Sequence, residues 1–321
     1  MTQPVFRSTD ASAPALTHAN GSLITVLDAI LVNGYGSKAS LGWSKAFSGT
    51  NKAVYQQGAG SSGFQLRVDD SGANVYEALV RGAEAFSDVD TISSGAFPTV
   101  AQYANGLFWN KATTTSATRA WVCWGDSKRF YFMPEVSSPV TDHGWNCHFF
   151  GDIASFKVGD SYNCMLIGRT VTNTAAYSDP FTEVTPSAFA AINIGHYLAR
   201  SYTGVGTAIQ CKKFVDGRVN GSVMGLGTPN SDILQYPDPV TGALQLSRVF
   251  IAEANPYSLR GYLPGVWCVC HNVASMGGMT TGVTFNGSDG LAGKAFELRK
   301  TISGSNGVSA FAIETSDWAE S

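Results

Sequence analysis

The feature that most constrains the fold of this chain is a long series of short, β-rich runs separated by turns that contain glycine. Phe64, Leu66 and Val68 alternate with polar residues, a period of two that is typical of a strand with one buried face. Residues 120–124 and 129–133 are rich in aromatic and β-branched side chains and flank a Gly-Asp-Ser turn, which predicts a hairpin. Further strands are predicted over residues 75–80, 146–150, 162–167, 208–215, 244–252, 266–269, 295–299 and 308–313. The predicted fold class is therefore mainly β, with two β-sandwich or partly open barrel-like units.

One segment departs from this pattern and predicts an N-terminal amphipathic helix. Its apolar residues at positions 23, 26, 27, 30 and 31 fall on one helical face. Asn20 or Ser22 is a suitable N-cap, and Gly34 is a suitable end. A second helix, shorter still, is predicted within residues 186–193, so the fold contains few and short helices.

The composition indicates a domain boundary in a polar stretch, residues 171–187, that lacks periodicity and contains two prolines. A linker is predicted there. Residues 1–170 then form a unit made of the N-terminal helix and a β domain, and residues 188–321 form a C-terminal β domain. A length of 321 residues accommodates two domains of ordinary size.

The low charge of the chain bears on its partners. Charged residues make up 14% of the sequence, against about 25% in an average soluble protein, and the net charge is −3. The basic residues are scattered and do not form the stripe of a nucleic-acid-binding protein. There is no apolar run of about 18 residues and no secretory signal pattern at the start, so neither a membrane partner nor export is expected. A surface with so little charge is expected to be partly covered by neighbouring subunits.

Gly58, Gly60 and Gly63 have the G-x-G-x-x-G spacing of a dinucleotide-binding loop. Such a loop follows a strand and opens a helix, because the helix N-terminus binds the pyrophosphate. Here the residues on both sides, 53–57 and 64–68, have strand patterns. The glycines are therefore predicted to form an exposed hairpin loop, and no nucleotide or other cofactor is expected.

Two clusters contain side chains that bind metals in other proteins. The first comprises Asp142, His143, Cys147 and His148, and the second comprises Cys268, Cys270 and His271. Their spacings differ from those of the common zinc knuckles, in which two residues separate paired cysteines. Strand ends rich in buried side chains are the preferred interpretation, and no metal is predicted.

The six cysteines admit two interpretations. Buried, reduced thiols are preferred, because free cysteine packs as a small hydrophobic residue. Disulfides or subunit contacts are the alternative, with Cys123, Cys147, Cys268 and Cys270 as the candidates. Bridges between subunits would form only after the protein leaves the reducing cytosol.

Neighbouring aspartates are candidates for the acid and base of a glycan hydrolase, whose two carboxyl groups lie roughly 5–10 Å apart. The candidates are Asp69 with Asp70, and Asp88 with Asp90. Local turn chemistry is the preferred interpretation, because Asp-Asp-Ser-Gly favours a type I turn. No nucleophile motif in a strand-turn-helix context accompanies them. The prediction is a protein without catalytic residues.

Several segments, taken in order, resemble a family of virion structural proteins of tailed bacteriophages. The resemblance lies in residues 5–16, 27–39, 42–43, 47–55, 66–70, 88–91, 97–99, 259–267 and 291–298. It spans nearly the whole chain, although Cys268 and Cys270 do not belong to the family pattern. It implies a structural component of the tail, baseplate or neck/collar that has copies of itself and other virion proteins as partners.

The resemblance also implies a place in the virion after synthesis in the host cytoplasm. Two alternatives stay open within it, a receptor- or glycan-binding tail module and a head-surface decoration protein. A binding module would use exposed aromatic side chains as stacking platforms, for which the candidates are Trp43, Trp109, Trp145 and Trp318. A virion-bound hydrolase that uses the aspartate pairs is the remaining alternative.

Overall fold

The computed structural model describes residues 3–112, 117–136, 145–170, 194–205, 209–215, 236–238, 240–253, 258–271, 278–303 and 307–318. Strands make up 47% of the structure, about twice the usual fraction, and helices are few. The prediction of a mainly β fold is thereby confirmed. The sheet is curled into the shape of a half-barrel.

The strands are short, as the glycine-rich turns predict. They are β1 (Val5–Arg7), β2 (Ser44–Gly49), β3 (Lys52–Gln56), β4 (Gln65–Asp69), β5 (Glu77–Ala83), β6 (Ala85–Asp88), β7 (Thr91–Ser94), β8 (Leu107–Asn110), β9 (Trp121–Gly125), β10 (Arg129–Pro134), β11 (His148–Asp152), β12 (Ala154–Ser155), β13 (Cys164–Arg169), β14 (Ile194–Leu198), β15 (Ile209–Val215), β16 (Leu246–Glu253), β17 (Ser258–Val269), β18 (Thr284–Asn286), β19 (Ala295–Ser303) and β20 (Gly307–Glu314). All the pairings between them are antiparallel.

The first half of the chain forms two series of strands that meet at β13. One series runs β2–β3–β4–β5–β8–β13, and the other runs β1–β9–β10–β11–β13. The hairpin predicted around the Gly-Asp-Ser turn is confirmed as β9 and β10, in which Phe132 lies opposite Cys123. Strands β6 and β7 form a separate small hairpin.

The strand pairing continues from β13 into the second half of the chain. It runs through β14, β15, β16, β17, β20 and β19 to β18. In addition, β12 pairs with β17, with Ala154 opposite Tyr262, and the Gln3 amide donates to the Thr315 carbonyl at 3.0 Å. Contacts between the two halves are therefore extensive. The predicted linker, 171–187, and the predicted helix within 186–193 lie outside the described residues.

The strands β9, β10, β11 and β13 are buried on both faces, which explains their nearly continuous apolar sequences. Side chains alternate between the faces along each strand. In β10, Phe130 and Phe132 belong to a first hydrophobic core, whereas Tyr131 and Met133 belong to a second. The first core is completed by the N-terminal helical segment and β3 to β5, and the second by β16, β17 and β20.

The N-terminal helical segment consists of an α-helix, α1 (Ser22–Leu27), followed by a π-helix over Asp28–Asn33. It ends at Gly34, which has a φ of 74°. The predicted caps are wrong, because neither Asn20 nor Ser22 caps the first turn with its side chain. Instead, Asp70 Oδ2 accepts the Leu23 N–H at 2.9 Å. The cap comes from a strand end distant in sequence, so local sequence patterns do not reveal it.

Candidate assembly surface

The glycine loop joins β3 to β4, so the predicted hairpin is confirmed. Gly60 and Gly63 are exposed and have φ values of 77° and 81°, a region that favours glycine. Gly58 is half-buried, and a Cβ there would lie 2.4 Å from the Gly42 carbonyl oxygen. The spacing of the motif thus reflects turn geometry and a close backbone approach.

Asp152, at the end of β11, holds this loop in place through hydrogen bonds. Its carboxylate accepts the Ser62 N–H at 2.7 Å and the Gln57 Nε2–H at 2.9 Å. On the other side, the Gly58 N–H donates to the Ser127 carbonyl at 2.8 Å. The loop is therefore held against the β9–β10 turn, and its Gly58 and Ser62 amides are used in contacts within the chain.

All six cysteines are free thiols and are buried. The candidates for disulfides or subunit contacts, Cys123, Cys147, Cys268 and Cys270, are each exposed by 5% or less. Burial raises the pKa of the Cys123 thiol well above its ordinary value. In the folded chain these four side chains take part in internal packing, and none of them is placed to meet a second subunit without local opening.

We expect the folded protein to resist thiol reagents. In a titration with an aromatic disulfide such as DTNB, the native protein should release less than one equivalent of thiolate within minutes, because a buried thiol with a raised pKa is a poor nucleophile. The same protein in guanidinium chloride should release all six equivalents. Rapid reaction of one or more thiols without denaturant would contradict this placement.

The two predicted metal clusters are only partly described. Asp142 and His143 lie outside the described residues. Where the chain is described, no group of three or more His, Cys, Asp or Glu side chains could hold a metal ion. Cys147 and Cys268 pack in the second core.

The predicted aspartate pairs are rearranged by the fold. Asp69 and Asp90 lie at the same two cations: Arg67 Nη2 is 2.8 Å from Asp69 Oδ2, and Lys52 Nζ is 3.0 Å from Asp90 Oδ1. Asp70 is separated from this group and forms a buried ion pair with Lys111. Asp69, Asp70 and Asp90 therefore each have a cationic partner.

The charges around Asp69 and Asp90 keep both carboxyls ionised. Burial acts to raise the pKa of Asp69, but hydrogen bonds from Ser71 and the charge of Arg67 outweigh it, so the pKa is lowered. Hydrogen bonds from Arg67 and Lys52 lower the pKa of Asp90. A glycan hydrolase requires one carboxyl that is protonated near neutral pH, and this arrangement favours the opposite state.

Five exposed apolar side chains lie on three neighbouring segments of the described surface. We call this set the assembly surface, and its members, with their exposed fractions, are Phe156 (52%), Val158 (99%), Tyr202 (39%), Val205 (72%) and Leu259 (48%). Single exposed apolar residues are ordinary, whereas several on neighbouring segments are a candidate interaction site.

Backbone contacts bring the three segments together. The Phe156 N–H donates to the Arg260 carbonyl at 2.9 Å, next to the pairing of β12 with β17. The Phe156 and Tyr262 rings are 5.9 Å apart. Lys157 Nζ donates to the Tyr202 carbonyl at 2.6 Å, which joins the loop after β14 to the other two segments.

A buried ion cluster of Arg260, Asp160 and Glu253 connects the segments that carry the assembly surface. The Arg260 side chain is 1% exposed, and its Nε and Nη2 lie 2.6 and 2.8 Å from the two oxygens of Asp160. Arg260 Nη1 also binds Glu253 and donates to the Arg200 carbonyl at 3.2 Å. Glu253 in turn accepts the Tyr202 N–H at 3.1 Å. One guanidinium therefore ties all three segments to each other.

The electrostatics of this cluster keep Arg260 and Asp160 charged. Burial acts to lower the pKa of Arg260, but its hydrogen bonds and attraction to Asp160 and Glu253 outweigh the burial and raise it. Burial likewise acts to raise the pKa of Asp160, and the hydrogen bonds from Arg260 overcome it. The loops are thus held in one arrangement by paired charges.

The tryptophans considered as stacking platforms are mostly internal. Trp43, Trp109 and Trp318 are buried in the two cores, so their role as exposed platforms is ruled out in the folded chain. Trp145 is half-buried, with the Arg299 guanidinium 5.6 Å from its ring centroid. The exposed apolar surface is supplied instead by residues that no motif singled out.

Comparisons with known proteins do not assign the chain to a family. In the described part of the chain, no helix is long and apolar enough to cross a membrane. No protein-family model matches the sequence, and a search of curated proteins finds no match. What the protein does is therefore inferred from its own residues.

Proposed function

We propose that the protein is a non-enzymatic structural component of a tailed-bacteriophage particle, in the tail, baseplate or neck/collar. It assembles through contacts between its own copies and with other virion proteins. It is made in the host cytoplasm and acts in the virion. The ordered resemblance from residue 5 to residue 298 supports the assignment to a virion.

The observation that carries the proposed mode of assembly is the rigid, apolar assembly surface. The Val158 and Val205 side chains are exposed to solvent, whereas the buried Arg260 side chain holds their loops in place through its hydrogen bonds. Covering such side chains with a second copy would remove apolar area from water at little cost in loop ordering. The low charge of the chain agrees with a surface that is covered in the assembled state.

Two further statements belong to this proposal. The curled sheet is organised as two β-sandwich or partly open barrel-like units, with the N-terminal helix presenting an amphipathic face. The absence of catalysis is supported by Asp69 and Asp90, since both are neutralised by cations. A receptor- or glycan-binding tail module is the second candidate function. It is favoured by a groove between the turns before β16 and after β18, which has apolar and polar lining residues. A head-surface decoration protein remains the alternative position.

The mode of assembly is tested by the molar mass of the protein in solution. We expect sedimentation analysis of the wild type to show a mass that rises with concentration. Replacing both Phe156 and Val158 by lysine should weaken association at least about tenfold, equivalent to about 1.4 kcal/mol. Val240→Lys is the matched control, because Val240 is 89% exposed and lies outside the assembly surface. A wild type that is monomeric throughout, or equal effects of the two changes, would overturn this mode of assembly.

The virion assignment is tested separately. Particles from a lysed host culture are banded on a density gradient, and the bands are analysed by mass spectrometry. The protein should be found with the particles at a fixed ratio to the other virion proteins, and antibodies against it should label one position on them. Recovery only in the soluble fraction would contradict the assignment.

A further inference from the structure

A second surface feature shares no residue with the assembly surface and is lined by the turns before β16 and after β18. It is a groove with a volume of about 500 Å³. Its floor consists of apolar side chains, and its two walls are turns that carry amide, hydroxyl and carboxylate groups. The floor residues are Leu244, Leu246, Met279 and Phe285, and the polar residues of the walls are Thr241, Gln245, Asn286, Ser288 and Asp289.

The floor exists because the C-terminal strands have two apolar faces. In β17, Val266 and Cys268 point to the second core, whereas Trp267 and Val269 point to the opposite face. On that opposite face, Leu246, Phe285 and Leu291 pack against Trp267 and Phe296. The Phe285 ring stacks on Phe296 with centroids 5.4 Å apart and an interplanar angle of 21°. One side of the Phe285 ring is therefore held, while the side chain also borders the groove.

The first wall is the turn that precedes β16, and Asp238 organises it. Its carboxylate accepts the Val240 N–H at 3.0 Å, the Thr241 hydroxyl at 2.6 Å and the Gln245 Nε2–H at 3.2 Å. Tyr236, which also lines the groove, meets this turn at its start. The hydrogen bonds of Asp238 therefore hold this wall in one conformation in the free protein.

The second wall is the turn between β18 and β19. A short 3₁₀ helix over Asp289–Leu291 shapes it, and the Leu291 N–H donates to the Ser288 carbonyl at 2.8 Å. Asp289 has a φ of 50°, in the left-handed region that is uncommon for residues other than glycine. Asn286, Ser288 and Asp289 are all exposed at the rim. The Ser288 hydroxyl donates to Asp289 Oδ2 at 3.0 Å, and the carboxylate retains further acceptor positions.

The lining decides what chemistry the groove accepts. It contains one carboxylate, two carboxamides and three hydroxyls, the last from Tyr236, Thr241 and Ser288, and its described residues include no lysine or arginine. Such a lining disfavours phosphates and acidic groups, which require cationic partners. Aromatic and aliphatic surface with a few converging polar groups is typical of small-molecule sites, whose volumes are roughly 300–1,000 Å³.

We infer that this groove binds a neutral saccharide of one or two rings. The apolar face of a pyranose ring would pack on Phe285 and Tyr236, and its hydroxyls would bind the Asn286 amide and the Asp289 carboxylate. A carboxylate that accepts from a sugar hydroxyl forms a strong, charge-assisted hydrogen bond. The inference deepens the second candidate function and does not depend on self-association, because the assembly surface shares no residue with the groove.

Saturation-transfer NMR on the full chain tests this inference. The probes are maltose, cellobiose, N,N′-diacetylchitobiose and methyl mannoside, with glucose 6-phosphate as the acidic comparison. At least one neutral sugar should show transfer to its ring protons, with dissociation constants in the millimolar range, and glucose 6-phosphate should show none.

The site is assigned with surface variants that spare the core. Asn286→Ala and Asp289→Asn should each weaken binding of that sugar about tenfold or more, while the Phe156→Lys/Val158→Lys protein should bind it as the wild type does. Failure of all neutral probes, equal binding of glucose 6-phosphate, or binding that ignores both groove variants would overturn the inference. None of these results bears on self-association, so the two proposals fail separately.

Discussion

Replacing Arg260 by methionine is expected to lower the free energy of unfolding by about 3–5 kcal/mol. The change removes the counter-charge of two carboxylates, Asp160 and Glu253, whose side chains are almost fully buried. It also frees the Arg200 carbonyl and so detaches the loop after β14 from β17. Equilibrium unfolding in urea, followed by tryptophan fluorescence, measures the loss.

Two further variants separate loss of charge pairing from general damage. Arg260→Met combined with Asp160→Asn and Glu253→Gln should recover much of the lost stability, because no unpaired charge is then left buried. The matched control is Arg200→Met, which breaks an ion pair with Glu84 that is partly exposed. That change should cost only about 1 kcal/mol. An Arg260→Met protein within about 1 kcal/mol of the wild type would contradict the role assigned to the cluster.

Acidification from pH 7 to pH 5 is expected to lower the free energy of unfolding by about 2 kcal/mol through His148 alone. Burial lowers the pKa of His148 from 6.5 to about 3. The folded state therefore keeps the ring neutral, whereas the unfolded chain binds a proton below about pH 6.5. The stability that the neutral His148 ring contributes is complete above a pH of about 6.5, the pKa in the unfolded chain. It is lost progressively as the pH falls toward about 3, the pKa of His148 in the folded chain.

The surroundings of His148 explain why the folded state resists its protonation. The ring stacks on Trp109 at 5.3 Å, and Nε2 lies 2.9 Å from the Asn110 carbonyl oxygen, to which it donates. The added proton would go to Nδ1, which has no hydrogen-bond partner among the described residues. The charge of Arg169 further opposes a second positive charge there.

The matched measurement uses His148→Gln, whose amide retains a donor for the Asn110 carbonyl. Urea unfolding of both proteins is compared at pH 8, 7 and 5. The variant should lose about 2 kcal/mol less than the wild type between pH 7 and pH 5, and the two should behave alike between pH 8 and pH 7. The same acid sensitivity in both proteins would show that His148 does not cause it.

Local patterns in the sequence predict the elements that local physics determines. The β9–β10 and β3–β4 hairpins combine strand periodicity with turn residues between them, and both are observed. The first half of β17 was not among the predicted strands, because Gly261 and Pro264 interrupt its pattern. Pro264 is nevertheless accommodated, and its carbonyl accepts the Tyr131 hydroxyl at 2.8 Å.

The candidate sites, by contrast, are created by contacts between distant segments. Phe156, Tyr202 and Leu259 become neighbours only through pairing of β12 with β17 and through Arg260. The groove likewise joins the turn before β16 to the turn after β18. Periodicity reports the burial of one element at a time, so it does not reveal either surface. A signal was present at residues 156–158, where apolar side chains flank a lysine just before a glycine turn.

The wall formed by β9, β10, β11 and β13 has a consequence for how the chain folds. One face of this wall is covered by segments from the start of the chain and the other by segments from its end. Removing either cover would expose a row of aromatic side chains to water, so each cover is expected to stabilise the wall that both share. A substitution that loosens one core is therefore expected to lower the stability of the other core as well, because the two cores share these four strands.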